Sequence, residues 1–134
     1  MKKVFFDTNL MLDSALERGE NGVASTAILS ACEYGEIEGC LSFLSVANMA
    51  YTLKKGRTKQ GMMDILKGYT FYLTILPMDN SQLQQAYAVD APDFEDVLQY
   101  ECAKAAGCEL IVTSNIKHFK FCKDIEVVST IDYA

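Results

Sequence analysis

Apolar residues in this chain fall into short unbroken runs, separated by longer stretches in which they recur at helical spacing. Val4-Phe5-Phe6 is the first run, and it stops at once on Asp7-Thr8-Asn9. A short apolar run bounded by polar turn-formers reads as a strand covered on both faces. The pattern makes Asp7 the last residue of a central strand. A helix is expected over Asn9–Glu17 with a stop at Arg18-Gly19, then a loop at Glu20-Asn21-Gly22 and a second helix from Val23 to Tyr34. Glu38–Phe43 reads as a short strand, and Leu44–Lys55 as a helix capped by Ser42 or Ser45. Thr58 caps a helix that runs to Tyr69. Tyr72–Leu76 is rich in β-branched and aromatic residues and stops at Pro77, as a strand does. Asp79 or Ser81 caps a helix through Ala88, and Pro92-Asp93 opens another that Gly107 closes after Ala106. Cys108–Thr113 is a second buried strand, Asn115–Lys120 a loop or single turn, and Ile125–Val128 a last strand.

Strands alternating with helical pairs predict an α/β fold in three layers, a mostly parallel central sheet flanked by helices on both faces. No linker or repeat breaks residues 1–134, so one domain is expected. The hydrophobic fraction is 50%, which excludes a disordered chain. No apolar stretch reaches the roughly 18 residues a membrane helix needs. Met1-Lys2-Lys3 is basic, but the apolar run after it is cut short by Asp7, so no export signal is visible and a cytoplasmic location is expected. The five cysteines contain no C-x-x-C pair and read as reduced, mostly buried thiols. With a single histidine, His118, a structural zinc site is excluded in practice. The net charge of −6 argues against nucleic-acid binding by bulk attraction. It is compatible with an acidic pocket that a bound cation would neutralise.

Three polar clusters sit at strand ends or at a helix start: Asp7-Thr8-Asn9, Asp93-Phe94-Glu95-Asp96 and Thr113-Ser114-Asn115. Parallel strands end together, and a helix that feeds a parallel strand starts at that same edge. All three clusters therefore converge where ligands bind in open α/β sheets. Grouped carboxylates with no catalytic Cys or His partner suit a hard cation such as Mg²⁺ or Mn²⁺, and phosphodiester hydrolysis follows as a fitting reaction. Asp7, Asp96 and Asp93 are the candidate ligands. Each has a structural alternative: Asp7 and Asp93 are good helix caps, and Asp96 complements a helix dipole. Asp96 has the stronger functional claim, because a cap does not require it. Glu95 points off that face and is expected in solvent. Thr8, Asn9, Thr113, Ser114 and His118 are candidate substrate contacts, His118 as a phosphate contact or proton shuttle or simply as a surface residue. The Met- and Tyr-rich segment Met49–Tyr72 carries more apolar surface than one small core consumes, so a homo-oligomer or a partner is expected to cover some of it.

FFDTN, DFEDVLQ and IVTSNIKHF, in that order and spacing, resemble the PIN-domain ribonucleases, particularly a branch rich in bacterial toxins neutralised by a cognate antitoxin. The likeness spans essentially the whole chain. It implies a PIN-like fold, an RNA substrate, an antitoxin partner and an acidic Mg²⁺ or Mn²⁺ pocket. Asp7 and Asp96 match two family acids, and Asn115 falls where many members have Asp. The family usually has Glu on the helix after the second strand, where this chain has Asn48. The resemblance thus assigns catalysis to Asp7, Asp96, Asn48 and Asn115, with Asn48 as a brake that a glutamate would release. The competing expectation is a catalytically weak module that keeps the fold and binds RNA or protein.

Overall fold

A computed structural model describes residues 2–134; Met1 lies outside the described residues. Five strands form one sheet: β1 (Lys3–Phe6), β2 (Glu38–Ser42), β3 (Thr74–Leu76), β4 (Leu110–Thr113) and β5 (Glu126–Ser129). Every pairing is parallel, and the order across the sheet is β3-β2-β1-β4-β5. The helices are α1 (Thr8–Ala15), α2 (Gly19–Glu33), α3 (Phe43–Leu53), α4 (Lys59–Thr70), α5 (Asn80–Tyr87), α6 (Phe94–Ala105) and α7 (Thr130–Tyr133), with a 3₁₀ turn at Ile116–Phe119.

Strand periodicity divides the core in two. Val4, Phe6, Leu41, Leu110 and Val112 face one side, where they pack with Leu10, Met11, Ile28, Leu29, Met49 and Leu53 of α1, α2 and α3. Phe5, Cys40 and Ile111 face the other side and meet Tyr100, Cys102 and Ala103 of α6. The chain winds from β1 outward to β2 and β3, then returns to place β4 on the other flank of β1. With right-handed crossovers, reversing direction moves the helices to the opposite face. The crevice at the reversal, beyond the carboxyl ends of β1 and β4, is where such sheets bind ligands.

Several boundaries differ from expectation for local reasons. β1 ends at Phe6, and Asp7 is the extended residue before α1; its side chain makes no cap bond. Glu20-Asn21-Gly22 is not a loop but the first turn of α2. Gly22 is needed there because a Cβ would lie 2.7 Å from the Asp13 carbonyl oxygen, so α1 and α2 meet backbone to backbone. Helix α1 stops at Ala15 instead of Glu17, and Glu17 itself takes the left-handed turn at φ 52°. Gly39 on β2 lies in a similar squeeze: a Cβ would fall 2.6 Å from the Phe6 ring and from Cys32 Sγ. Among the caps, Ser42, Thr58, Asp79 and Asp93 each accept a bond from the first turn of their helix. The short helix α7 was not signalled by periodicity; Ser129 caps it by accepting from the Asp132 amide. All five cysteines are free, with Cys122 the least buried. Among the described residues no helix is long and apolar enough to cross a membrane.

Candidate active site

Register brings the first and third polar clusters together. β1 and β4 pair Phe6 with Val112, and the Asp7 amide donates to the Val112 carbonyl at 3.1 Å. The next side chains on the two strands then meet: Thr113 Oγ1 donates to Asp7 Oδ2 at 2.9 Å. Asp7 is 6% exposed, and burial pushes its carboxyl above the usual range, with the Thr113 hydroxyl partly offsetting this.

The second cluster enters as the first turn of α6. Asp93 does act as the cap, its Oδ1 accepting from the amides of Glu95 and Asp96 at 2.9 and 3.4 Å. Asp96, one turn in, is 8% exposed. Its carboxyl is pushed up from 3.8 to about 7, first by burial and then by the negative charges of Asp93 and Asp7, against the opposing influence of His118. Asp96 Oδ2 is buried and makes no hydrogen bond, although His118 Nδ1 approaches it at 3.2 Å. A buried carboxylate oxygen left without a donor is costly unless something else meets it. Asp93, Asp96 and His118 each offer a ligand atom within 4.8 Å of one another. Asp7 lies outside that tight group and is coupled to it through charge.

The remaining predicted residues divide into those beneath the pocket and those around it. Thr8 is buried, and its hydroxyl shares a hydrogen bond with Ser45 Oγ at 2.7 Å. Thr113 is buried beside Asp7. Neither threonine reaches the surface, so both support the acids from below. Asn9 is exposed, while Ser114 and Asn115 are half-buried. Asn115 Nδ2 lies 3.1 Å from His118 Nε2, which ties the 3₁₀ turn to the end of β4. Asn48 on α3 donates to Glu95 Oε1 at 2.7 Å. Glu95 is exposed as expected, but it is held at the pocket instead of standing free.

Sequence reasoning missed the network under these groups. Gln99, fully buried on α6, donates to Ser45 Oγ at 2.8 Å and Thr8 Oγ1 at 3.3 Å and accepts from Ser42 Oγ at 2.6 Å. Ser42 Oγ also caps α3. The signal was present: Gln99 sits three residues after Asp96, between the buried Val97 and Tyr100, where helical spacing calls for an apolar residue. This network pins α1, α3 and α6 to the end of β2, so Asp7 before α1 and the acids of α6 are held in fixed relation, with Asn48 of α3 beside them. The result is an acidic, oxygen-rich pocket over the crevice between β1 and β4, suited to a hard cation.

A family model described as PIN domain matches residues 3–117. Ribonuclease VapC1 of Aquifex aeolicus (strain VF5) is 31% identical over 137 residues, covering 98% of this chain and 93% of its own length. Among solved structures, DNA-bound VapBC from Salmonella typhimurium superposes with a TM-score of 0.74 at 18% identity, over 97% of this chain and 99% of that one. VapBC-1 from nontypeable Haemophilus influenzae gives 0.70 at 14% identity, over 96% and 98%. These structures share the fold, and the family match together with the relative in sequence extends the likeness to the chain itself, which belongs to the PIN-domain family.

Proposed function

We propose that this chain is a divalent-metal-dependent endoribonuclease and the toxin of a toxin–antitoxin pair. The observation that carries the reading is Asp96 Oδ2, a buried carboxylate oxygen that makes no hydrogen bond and has Asp93 and His118 within ligand distance, at the carboxyl edge of the sheet. The ribonuclease named among its relatives supports RNA as the substrate. Asp96 and Asp7 would hold Mg²⁺ or Mn²⁺, with Asp93 beside them offering the oxygen its cap bonds leave unused. A bound ion of this kind lowers the pKa of a coordinated water and neutralises charge on a phosphoryl group.

The residues of this chain then have distinct tasks. Thr113 fixes the rotamer of Asp7. Asn115 orients His118, which is half exposed and able to meet a phosphate oxygen at the pocket rim. Asn9 and Ser114 line the approach, while Thr8 and Thr113 act from beneath. Asn48 and Asn115, both neutral, orient water or substrate. The neutral residue at 48 favours the second reading, a PIN-fold module that binds RNA or protein and cuts poorly.

One assay separates the two. RNA cleavage measured with Mn²⁺ and with chelator should show metal-dependent endonucleolytic products, and Asp7→Asn should lower the rate by about 100-fold or more. Binding of RNA without metal-dependent products would support the module instead.

A protein partner is supported by the VapBC complexes among its structural relatives. Exposed apolar surface gives such a partner, or a second copy, something to cover. A cleft of about 770 Å³ between α2 and α7 is lined by Val23, Ala24, Ala27 and Ile131, with Val23 76% exposed. Phe71 at the end of α4 is also exposed. Co-expression with the neighbouring open reading frame should yield a stable complex, and the chain is expected to act in the cytoplasm.

A further inference from the structure

Position 48 carries an amide where the family pattern has a carboxylate, yet the side chain there is engaged. Asn48 Nδ2 donates to Glu95 Oε1 at 2.7 Å. A carboxylate only accepts, so the amide nitrogen faces Glu95 and the amide oxygen points away from it. The bond joins α3, which packs on one face of the sheet, to the first turn of α6, which packs on the other. Glu95 is therefore anchored twice. Its backbone amide donates to Asp93 Oδ1, and its carboxylate accepts from Asn48. An exposed glutamate normally keeps its rotamer freedom, and ordering one is opposed by side-chain entropy.

The anchoring aims charge at the pocket. Among the described residues no lysine or arginine forms an ion pair with Glu95. It shares the first turn of α6 with Asp96, beside the Asp93 cap, and those two carboxylates lie within 4.8 Å of one another and of His118. Independently, Asp96 Oδ2 is buried and makes no hydrogen bond, with His118 Nδ1 beside it at 3.2 Å, and a cation there would satisfy it. We propose that Glu95 is the third carboxylate of the metal pocket, supplied from α6 and steered there by Asn48, and that it takes the task the family gives to an acid at position 48. The inference rests on the reading of this pocket as a divalent-cation site. Glu95 lies outside the tight Asp93–Asp96–His118 group, so it is an outer carboxylate and Asn48 is its positioning residue. The expectation that a glutamate at 48 simply adds a ligand is thereby reversed. In the native background it would set two carboxylates against each other across the 2.7 Å contact.

Calorimetric titration with Mn²⁺ alone tests this, without reference to activity. Glu95→Gln should weaken binding about three- to tenfold and leave the thermal midpoint almost unchanged, since Glu95 is exposed. Asn48→Glu alone should not strengthen binding. The double variant Asn48→Glu/Glu95→Gln, which moves the acid from α6 to α3 and keeps a hydrogen bond between the two positions, should return to within about twofold of the native affinity. Native affinity in Glu95→Gln alongside a clear loss in Asp96→Asn overturns the role of Glu95 and leaves the cation site standing. A double variant as weak as Glu95→Gln shows that the two positions do not share one task. If Asp96→Asn and Asp7→Asn also bind Mn²⁺ normally, the cation site itself fails and the proposal falls with it.

Discussion

Asp96 concentrates the conflict between stability and chemistry in one side chain. Its carboxyl titrates near 7 in the folded protein against 3.8 for a free side chain, because burial and the neighbouring acids disfavour the charge. The folded state therefore binds a proton more tightly than the unfolded chain does. The stability this gives is complete below about pH 4 and is lost as pH rises through 7. Asp7 is shifted in the same direction. Without metal, the protein should lose stability between weakly acidic and neutral pH, and Asp96→Asn should flatten that decline. At pH 8 the variant should be more stable than the native protein by roughly 1–2 kcal/mol, a conservative share of the roughly 4 kcal/mol that a rise from 3.8 to about 7 represents at ~1.4 kcal/mol per pKa unit. Mn²⁺ should reverse the ranking, because it binds the ionised carboxylate and stabilises only the native protein. Thermal unfolding at pH 5 and pH 8, with and without Mn²⁺, reads all of these together. An unchanged pH profile in Asp96→Asn would show that this carboxyl is not the group responsible.

At the scale of the elements, Gln99 does for the helices what Asp96 does for the pocket. Its amide satisfies the hydroxyls of Ser42, Ser45 and Thr8 at once, in a place with no access to water. Gln99→Ala should lower stability by about 2–4 kcal/mol, combining a cavity with orphaned hydroxyls. Gln99→Met keeps most of the volume and should fall between the two, and denaturant unfolding would rank them. If Met costs nothing, the hydrogen bonds contribute little and packing alone sets the helix positions. The elements themselves were largely legible, because Val4-Phe5-Phe6 and Cys108–Thr113 are short apolar runs and because Thr58, Asp79 and Asp93 are good caps. The first turn of α2 was not, since Glu20-Asn21-Gly22 has turn chemistry and only the close approach of α1 explains a helix there. That Asp7, Asp93 and Asp96 gather at one edge of the sheet was readable from topology. The part that topology could not convey was side-chain direction. Thr8 turned out to lie beneath the pocket and Glu95 was drawn to it, each through a partner far away in sequence.

Across the whole molecule, the strand order decides when the site can exist. β1 is made first, but its neighbour on the pocket side is β4, and the hydrogen bond between Asp7 and Thr113 joins residues 106 positions apart. Contacts of such long range are late and slow to form. A fragment ending at Gly107 should lack both the wall of the crevice and the Thr113 donor. It should bind no Mn²⁺ and melt without a cooperative transition, and full-length affinity in that fragment would contradict this. At the usual pace of synthesis, roughly 5–20 s pass between the making of Asp7 and of Thr113. The acids at this edge thus remain dispersed while most of the chain is being made. The return of β4 to the flank of β1 acts as a timer, because the acidic edge is assembled only once Thr113, late in the chain, has been made.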